Sequence, residues 1–241
     1  DYTFGGGGYS LHLLKKTNSR IDAVDRDKNI KYLADEIKKK FRKRFRFFIQ
    51  KFSQIGETFK DKKFDAIIFD LGLSSYQLKD LSRGFSFKSK DKLSMDMGLS
   101  DLNLIEVINS IDEKNLKLIL KVFGEEKEAS IIAKNIIKRR AIDNILSTRD
   151  LVEIIKKSKK KNFKNKIDVC TKTFQALRMF INQEVSELLI GLVEATKLLK
   201  VGGKILVISF HSIEDKIVKY FFKNYSKNKS RPSKYLPDNT E

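Results

Sequence analysis

Strand-like and helix-like segments alternate in this sequence, and this alternation limits the possible folds more than any other feature. Up to about residue 78, helical patterns separate three strand-like segments, IDAVD, FRFFIQ and FDAIIFD. From Thr173 onward the alternation resumes with a long helical segment, the strand-like KILVISF and a final helix. Strands that alternate with helices predict a parallel sheet with helices packed on it. The sequence therefore predicts an α/β fold.

The region between these two parts has no strand signal. From Lys79 to Lys172, apolar residues recur at helical spacing in LNLIEVINSI, NLKLILKVF, EASIIAKNIIKRRAI and TRDLVEIIKKSKK. We therefore predict a discontinuous α/β domain of residues 1–78 and 173–241, with an all-helical domain of residues 79–172 inserted into it. The segment from Phe174 to Leu199 is predicted as one helix that stops before a glycine pair.

The composition argues against several classes of protein. One cysteine and two histidines in 241 residues are too few for a closed zinc site or an intrachain disulfide, so we predict no metal site. No apolar run approaches the length of a membrane span, and no secretory signal is recognisable, which predicts a cytoplasmic protein without membrane contact. The formal charge of +19 favours nucleic acid as the partner, with compositional bias of the coding sequence as the alternative.

Four consecutive glycines, Gly5 to Gly8, join a strand end to a predicted helix. Without Cβ atoms the backbone can approach a ligand closely, and the N–H groups of the helix can point at it. Ser10 occupies the place of the third glycine in the dinucleotide-binding pattern G-x-G-x-x-G, which argues against a nicotinamide cofactor. Asp25 ends the next strand, where an acid can accept hydrogen bonds from ribose hydroxyls. The glycine turn and Asp25 together predict a site for an adenosine-bearing cofactor. The alternative is a turn that binds no ligand and an aspartate that caps a helix.

Five further segments carry a resemblance to a known family. In chain order they are DLGLSSYQLKDLSRGFSF, LSMDMG, FGEEKEASIIAKNI, TKTFQALRMFINQE and GGKILVISFHSIEDKIVKYFF. In order and spacing they resemble the RsmH/MraW family, the S-adenosylmethionine-dependent methyltransferases that methylate the N4 amine of a cytosine in the 16S RNA of the bacterial small ribosomal subunit. The resemblance covers nearly the whole chain. It implies a Rossmann-like class I methyltransferase sheet with an inserted all-helical domain.

The resemblance also implies a pocket for S-adenosylmethionine. The residues implied to form it are Gly5, Gly7, Gly8, Tyr9, Asp25, Phe52, Asp70 and Gln77. The glycine turn is implied to hold the methionine end of the cofactor, and Asp25 the ribose hydroxyls. Two residues depart from the family pattern: Tyr9 stands where histidine is usual, and Lys172 where arginine is usual. The lysine keeps the charge but lacks the two-pronged donor of a guanidinium.

Four residues are candidates for contact with the acceptor amine: Asp70, Ser74, Ser75 and His211. The first three lie in DLGLSS, in the slot where many amino-methyltransferases carry a D/N-P-P-aromatic segment. A carboxylate at this position can accept hydrogens from the amine. His211 follows a strand at the same edge of the sheet. The alternatives are that Asp70 serves only the cofactor, and that the serines and His211 cap the helices that follow them.

The substrate contacts are predicted mainly on the helical region. Two basic clusters, Lys138–Arg140 and Lys156–Lys166, are candidates for contact with phosphates. Phe85 and Phe87 are candidates for stacking on a base drawn out of the RNA, with Arg83 on a phosphate. The alternative for the two phenylalanines is a place in the hydrophobic core.

The predicted function is methylation of small-subunit ribosomal RNA within the assembled or assembling subunit. Members of the resembled family carry an earlier segment with the first, central strand, and longer tails. We therefore expect this chain to be a fragment lacking both ends, with Asp1 as the last residue of a strand. Two alternatives remain: N4-methylation of another nucleic acid such as DNA, and a basic RNA-binding or ribosome-assembly module without activity. A homodimer is also left open.

Overall fold

The computed structural model describes residues 1–159 and 168–225. Its strands are β1 (Ile21–Asp25), β2 (Phe45–Ile49), β3 (Phe64–Asp70) and β4 (Leu199–Ile208). β1 pairs with β2 and β3 pairs with β4, and both pairs are parallel. The register places Asp25 opposite Ile49, and Asp70 opposite Ile208. The carboxyl ends of the paired strands therefore lie side by side.

The first four residues lie between the two strand pairs. The N–H of Tyr2 donates to the carbonyl of Ile68 in β3 at 2.9 Å, and the N–H of Phe4 donates to the carbonyl of Val24 in β1 at 3.0 Å. These hydrogen bonds connect β1 with β3 although residues 1–4 are not themselves part of a named strand. The order across the molecule is therefore β2, β1, residues 1–4, β3 and β4.

Helices connect the strands and form the region between β3 and β4. In the first α/β part they are α1 (Gly8–Lys16), α2 (Lys31–Lys40), α3 (Ile55–Thr58) and α4 (Ser75–Lys79). The next are α5 (Leu104–Ser110), α6 (Glu113–Gly124), α7 (Ala129–Arg140) and α8 (Thr148–Ser158). The last are α9 (Thr171–Ile181), α10 (Glu184–Leu198) and α11 (Ser212–Tyr225). None of the helices described is both long and apolar enough to cross a membrane. The predicted combination of helices with parallel strands is confirmed.

Apolar side chains pack on both faces of β1. Successive residues of a strand point to opposite faces. Ala23 lies in a hydrophobic cluster with Leu14 of α1 and Ala34 of α2. Its neighbour Val24 lies in a different cluster, with residues of β3 and with Leu192 of α10. Apolar side chains of helices thus cover β1 on both faces, as the alternating pattern of the sequence predicts.

The helical region forms a third hydrophobic cluster. Its buried side chains come from the stretch between Phe85 and Ile155 and from the stretch between Cys170 and Ile181. α6 packs against both α7 and α9. Since α9 contributes Phe174 and Leu177 to this cluster, its apolar face belongs to the helical region rather than to the strands.

The prediction of one helix from Phe174 to Leu199 is wrong, because the chain breaks between α9 and α10. Gln183 adopts the left-handed backbone conformation with a φ of 53°. The following strand also begins earlier than predicted, at Leu199, so that Gly202 lies inside β4 rather than before it. The register between β3 and β4 is irregular near this glycine. Periodicity alone does not reveal either feature.

Asn182 is the residue that accounts for the helix break. Its side chain is fully buried, and its oxygen accepts hydrogen bonds from the N–H of Met97 and from the hydroxyl of Ser100, each at 2.8 Å. Its side-chain amide donates to the carbonyl of Met95 at 2.7 Å. Arg26, directly after β1, donates to the main-chain carbonyl of Asn182 at 2.7 Å. The helix therefore ends at Ile181, directly before the residue that holds the loop of residues 95–100.

Replacing this side chain tests the account. Asn182→Ala should lower the free energy of unfolding by about 1–3 kcal/mol, because the N–H of Met97 and the carbonyl of Met95 would stay buried without a partner. Urea denaturation followed by circular dichroism measures the difference. The control is Asn224→Ala in the exposed last turn of α11, which should change the free energy by less than about 0.5 kcal/mol. Equal stability of Asn182→Ala and the wild type would contradict the role assigned to this side chain.

Candidate functional site

A cavity of about 780 Å³ opens at the carboxyl ends of the strands. Its wall includes Asp25 at the end of β1, Asp70 at the end of β3 and Phe210 just after β4. Parallel sheets bind ligands at this edge, and the volume is typical of a cofactor or small-molecule site. Most of the residues predicted for the site line this cavity: Gly5, Gly8, Tyr9, Asp25, Phe52, Asp70, Ser74, Ser75 and Gln77. Gly7 and His211 do not.

The glycine turn leads directly into α1, which begins at Gly8. Gly5 and Gly7 have φ values of 49° and 75°, in the left-handed region that favours glycine. A Cβ atom at Gly7 would lie 2.8 Å from side-chain atoms of Ile37 and Phe4, whereas one at Gly8 would meet no atom within 4 Å. Gly7 therefore lets the turn pack closely against Ile37 and Phe4. Gly5 and Gly8 present backbone without side chains to the cavity.

Asp25 lies in hydrogen-bond contact with this turn. One carboxylate oxygen accepts the N–H of Gly5 at 2.8 Å, and the other accepts the N–H of Asp27 at 2.9 Å. Burial raises the pKa of Asp25 to about 6, although these two hydrogen bonds oppose the rise. A carboxylate has about four acceptor sites. Two bonds to the backbone therefore leave Asp25 with acceptor capacity for hydroxyl groups in the cavity.

Phe52 enters the cavity wall from the segment after β2. Its ring packs edge-on against Phe69 with 5.3 Å between the ring centroids. A Cβ atom at Gly191 would lie 2.8 Å from the Cβ of Phe52, so the glycine lets α10 approach this segment. Glu187 of α10 accepts hydrogen bonds from the N–H and the hydroxyl of Ser53, at 2.9 and 3.0 Å. These contacts hold the Phe52 ring in place beside the cavity.

Asp70 presents a buried acceptor at the end of β3. Its N–H donates to the hydroxyl of Thr3 at 2.6 Å. Its Oδ1 atom is buried and accepts no hydrogen bond from the residues that the structure describes. Burial raises the pKa of Asp70. Since a buried acceptor without a partner is unfavourable, this oxygen is suited to receive a donor from a ligand.

The two serines and Gln77 form the start of α4. The hydroxyl of Ser74 accepts the N–H of Gln77 at 3.2 Å, and the side-chain oxygen of Gln77 accepts the N–H of Ser74 at 2.9 Å. This reciprocal pair is a capping box. Ser75 is exposed next to it. Ser74 thus caps the helix, as one of the two sequence interpretations holds, and a contact between either serine and an acceptor amine stays a prediction.

His211 contacts Glu214 of α11, which lines the cavity although His211 itself does not. Its Nδ1 atom accepts the N–H of Glu214 at 3.4 Å, and its Nε2 atom lies 3.2 Å from a carboxylate oxygen of the same residue. Burial acts to raise the pKa of Glu214, but His211 and the N–H of Phe210 outweigh it and lower the pKa below its ordinary value. His211 thus occupies a helix-capping position, and its catalytic role stays a prediction.

Glu184, His211 and Glu214 also lie close enough together to offer three ligand atoms to a metal ion. Both carboxylates already have partners, however. Arg178 donates two hydrogen bonds to Glu184, at 2.8 and 2.9 Å, and Phe210 donates its N–H to Glu214 at 2.9 Å. The cluster is accounted for by these contacts, and the sequence-based prediction of no metal site stays a prediction.

The aromatic pair predicted to stack on RNA lies in the helical region's core. Phe85 is 5% exposed, and the ring of Phe87 packs edge-on against Phe174 with 6.1 Å between centroids. Arg83, predicted to contact a phosphate, forms an ion pair with the buried Asp27. The core alternative is therefore the one found in the structure.

Sequence reasoning missed several residues of the cavity wall. Phe210 is the most exposed of its hydrophobic members, and Tyr76 and Met97 also contribute. Phe210 does not stand out in the sequence because it is the last residue of an apolar segment, KILVISF, that has the pattern of an ordinary strand. The signal that could have found it is its position two residues past the end of β4, at the edge where ligands bind.

Comparison with known proteins supports the family resemblance. The model of the MraW methylase family matches residues 1–240. A protein of Rickettsia canadensis (strain McKiel) called ribosomal RNA small subunit methyltransferase H is 43% identical over 239 residues, which are 99% of this chain and 77% of that protein. Proteins of the same name from Rickettsia africae (strain ESF-5) and Rickettsia felis (strain ATCC VR-1525 / URRWXCal2) are 42% identical over 238 residues, 99% of this chain and 77% and 78% of theirs. The chain belongs to the MraW methylase family.

Proposed function

We propose that this chain is an S-adenosylmethionine-dependent methyltransferase that methylates the N4 amine of a cytosine in the 16S RNA of the small ribosomal subunit. The observation that carries the proposal is the cavity in which the glycine turn, Asp25 and Asp70 meet, in a chain of the MraW methylase family. The names of the relatives supply the substrate class. A ribosomal RNA substrate in turn implies a cytoplasmic enzyme.

The proposed architecture is a Rossmann-like class I methyltransferase sheet with an inserted all-helical domain. The parallel strand pairs and the helices on both faces of β1 support the sheet. The separate hydrophobic cluster of the helical region supports the inserted domain. We propose that residues 1–78 and 173–241 form the α/β domain and that residues 79–172 form the inserted domain. The apolar face of α9, as far as Ile181, packs in the core of the inserted domain.

The residues of the cavity fit S-adenosylmethionine. The bare backbone of Gly5 and Gly8 leaves room for the methionine end, and Asp25 retains acceptor capacity for the ribose hydroxyls. Phe52 offers an apolar ring for the adenine, and Gln77 completes the wall. When bound, S-adenosylmethionine supplies a methyl group already activated on a sulfonium, so no residue of the chain has to create an electrophile.

The cavity has room for both partners of a transfer reaction. Asp25 and Phe52 lie at the ends of β1 and β2, whereas Asp70 and Phe210 lie at the ends of β3 and β4. The glycine turn lies between these two halves. Holding two reactants in line contributes roughly 7–11 kcal/mol to lowering a barrier, more than the effect of a positioned base, about 10²–10⁴-fold. The main task of the protein is therefore to orient the acceptor base beside the cofactor pocket.

Asp70 is proposed to act on the acceptor amine. The exocyclic nitrogen of cytosine is a weak nucleophile because its lone pair is delocalised into the ring. The unpaired Oδ1 of Asp70 can accept a hydrogen bond from this amine and so favour a localised lone pair. Because burial raises the pKa of Asp70, its carboxylate is more basic than an ordinary aspartate and better able to take up the proton that the amine loses.

Exposed basic residues of the helical region are proposed to contact phosphates. Lys138 at the end of α7 and Lys156 and Lys157 of α8 are exposed. Arg139 and Arg140 donate to main-chain carbonyls of Asp143 and Ile108, which leaves them less free. Lys159 of the predicted cluster Lys156–Lys166 is instead paired with the buried Glu126, and residues 160–166 lie outside the described residues. With a formal charge of +19, the chain favours a polyanionic partner.

The proposed reaction can be tested directly. Labelled S-adenosylmethionine is incubated with the chain and with assembled small subunits that lack the modification, and in parallel with naked ribosomal RNA and with DNA. Label on a cytosine N4 of the RNA is the expected result. Transfer to DNA alone would favour the second nucleic-acid substrate, and calorimetry without saturable cofactor binding would favour an RNA-binding module without activity.

Cofactor binding should tighten as the pH rises from about 5 to about 7. The ionised carboxylate of Asp25 accepts hydrogen bonds from ribose hydroxyls, whereas the protonated form has less acceptor capacity. With a pKa of about 6, Asp25 is largely protonated at the lower pH, and binding must then displace that proton. Asp25→Asn should raise the dissociation constant of the cofactor at about pH 7 by tenfold or more. The same substitution should remove the pH dependence of binding.

Calorimetry at the two pH values measures both effects. The matched control is Asp65→Asn near the start of β3, an exposed aspartate paired with Lys200, which should bind the cofactor as the wild type does. Equal dissociation constants for Asp25→Asn and the wild type at both pH values would refute the ribose contact.

Asp70→Asn should lower kcat by about 10²–10⁴-fold while the dissociation constant of the cofactor stays within about twofold, because the amide cannot take up a proton. Single-turnover methylation of small subunits measures the chemical step. Asp65→Asn again serves as the control on the same strand. A kcat unchanged in Asp70→Asn would restrict Asp70 to a role beside the cofactor.

A further inference from the structure

Phe210 is an exposed phenylalanine in the wall of the cavity. Its side chain is 68% exposed, whereas every other phenylalanine within residues 1–159 and 168–225 is at least partly buried. A single exposed apolar ring is common on protein surfaces, but Phe210 lies in the cavity wall at the carboxyl edge of the parallel strands, where ligands bind. The exposure of the Phe210 ring therefore needs an explanation in addition to cofactor binding.

The ring is held beside the loop that follows Asp70. A Cβ atom on Gly72 would lie 3.3 Å from a ring carbon of Phe210, so the ring packs directly on the glycine backbone. The N–H of Phe210 donates to Glu214 at 2.9 Å, which fixes the main chain at this point. Because Asp70 and Ile208 are partners in the strand register, Phe210 follows only two residues after the partner of Asp70. The ring and the unpaired carboxylate oxygen thus belong to the same end of the cavity.

The other exposed rings of the wall lie elsewhere. A Cβ atom on Gly6 would lie 3.0 Å from the ring of Tyr76, which places this ring over the glycine turn. Tyr9 belongs to the first turn of α1 after the same turn. Both therefore border the glycine turn, which is assigned to the methionine end of the cofactor. Phe210 is the exposed ring on the side of Asp70.

We propose that Phe210 is the platform on which the target base stacks while its exocyclic amine faces Asp70. This inference rests on the proposed function. A base within folded RNA must leave its stack to reach such a cavity, and stacking on an aromatic side chain compensates for the lost contact. The segment DLGLSS has no aromatic residue of its own, and Phe85 and Phe87 are packed in the helical region's core.

The pair of Phe210 and Asp70 also selects the class of base. A ring platform accepts any base, since every base has an aromatic face. The carboxylate oxygen of Asp70, by contrast, attracts an amine hydrogen and repels a carbonyl oxygen. A base with an exocyclic amine is therefore favoured over uracil at the same position, and the platform supplies binding while the carboxylate supplies selectivity.

Three substitutions at this position test the platform. Phe210→Ala should lower kcat/KM for the small subunit about 5- to 100-fold, Phe210→Leu should be impaired because it keeps bulk without an aromatic face, and Phe210→Tyr should retain most of the activity. The dissociation constant of S-adenosylmethionine should stay within about twofold in all three. The control is Tyr220→Ala, since Tyr220 is 72% exposed on α11 and lies outside the cavity wall.

A second measurement does not depend on methyl transfer. Small subunits are reconstituted with a fluorescent cytosine analogue at the methylated position, and its emission is followed as the chain is added without cofactor. Stacking on Phe210 should quench the analogue with the wild type and Phe210→Tyr, and markedly less with Phe210→Ala and Phe210→Leu.

The outcomes separate the platform from the proposed function. Equal quenching by the wild type and Phe210→Ala would overturn the platform. A loss of cofactor affinity that matches the loss of activity would also overturn it, because Phe210 would then act by packing the cofactor pocket. Absence of methyl transfer by the wild type would overturn the proposed function, while quenching that depends on an aromatic residue at position 210 would still support the platform.

Discussion

The hydrogen bond from the N–H of Gly5 to Asp25 is the contact on which the rest of the site depends. It joins the glycine turn to the end of β1, although the two residues are 20 positions apart in the sequence. The second oxygen of the same carboxylate accepts the N–H of Asp27 and so fixes the direction of the chain after the strand. One side chain therefore sets the position of the turn, of the strand end and of the acceptor groups between them.

Two carboxylates of the cavity wall, Asp25 and Asp70, are partly buried and so lose part of their hydration. Burial raises the pKa values of both Asp25 and Asp70, and Asp70 keeps an oxygen without a partner among the residues described. Such groups are unfavourable in an empty protein and favourable once a ligand supplies donors. In the helical region, by comparison, the buried carboxylate of Glu126 is paired with Lys159 and Thr173.

The sequence predicted those parts of the site that depend on short-range patterns. The turn of Gly5 to Gly8 and the position of Asp25 follow from strand periodicity and glycine chemistry, and the structure brings the two together. The helix break at Asn182 could not be predicted, because its partners Met95 and Met97 are distant in sequence. The assignment of Phe85 and Phe87 required knowing the core they pack into. Phe210 required the register between β3 and β4, which periodicity does not contain.

Arg26 has a consequence for how a large substrate can be accommodated. Directly after Asp25, its guanidinium donates to the carbonyls of Gly98 and Asn182 at 2.6 and 2.7 Å, and to the hydroxyl of Ser100 at 3.3 Å. Hydrogen bonds to a charged group contribute about 1.5–3 kcal/mol each. A swing of the loop of residues 95–100 away from β1 would break the bonds from Arg26 to Gly98 and Ser100. We therefore expect this side of the cavity wall, to which Arg26 and Met97 belong, to keep its shape when a substrate docks.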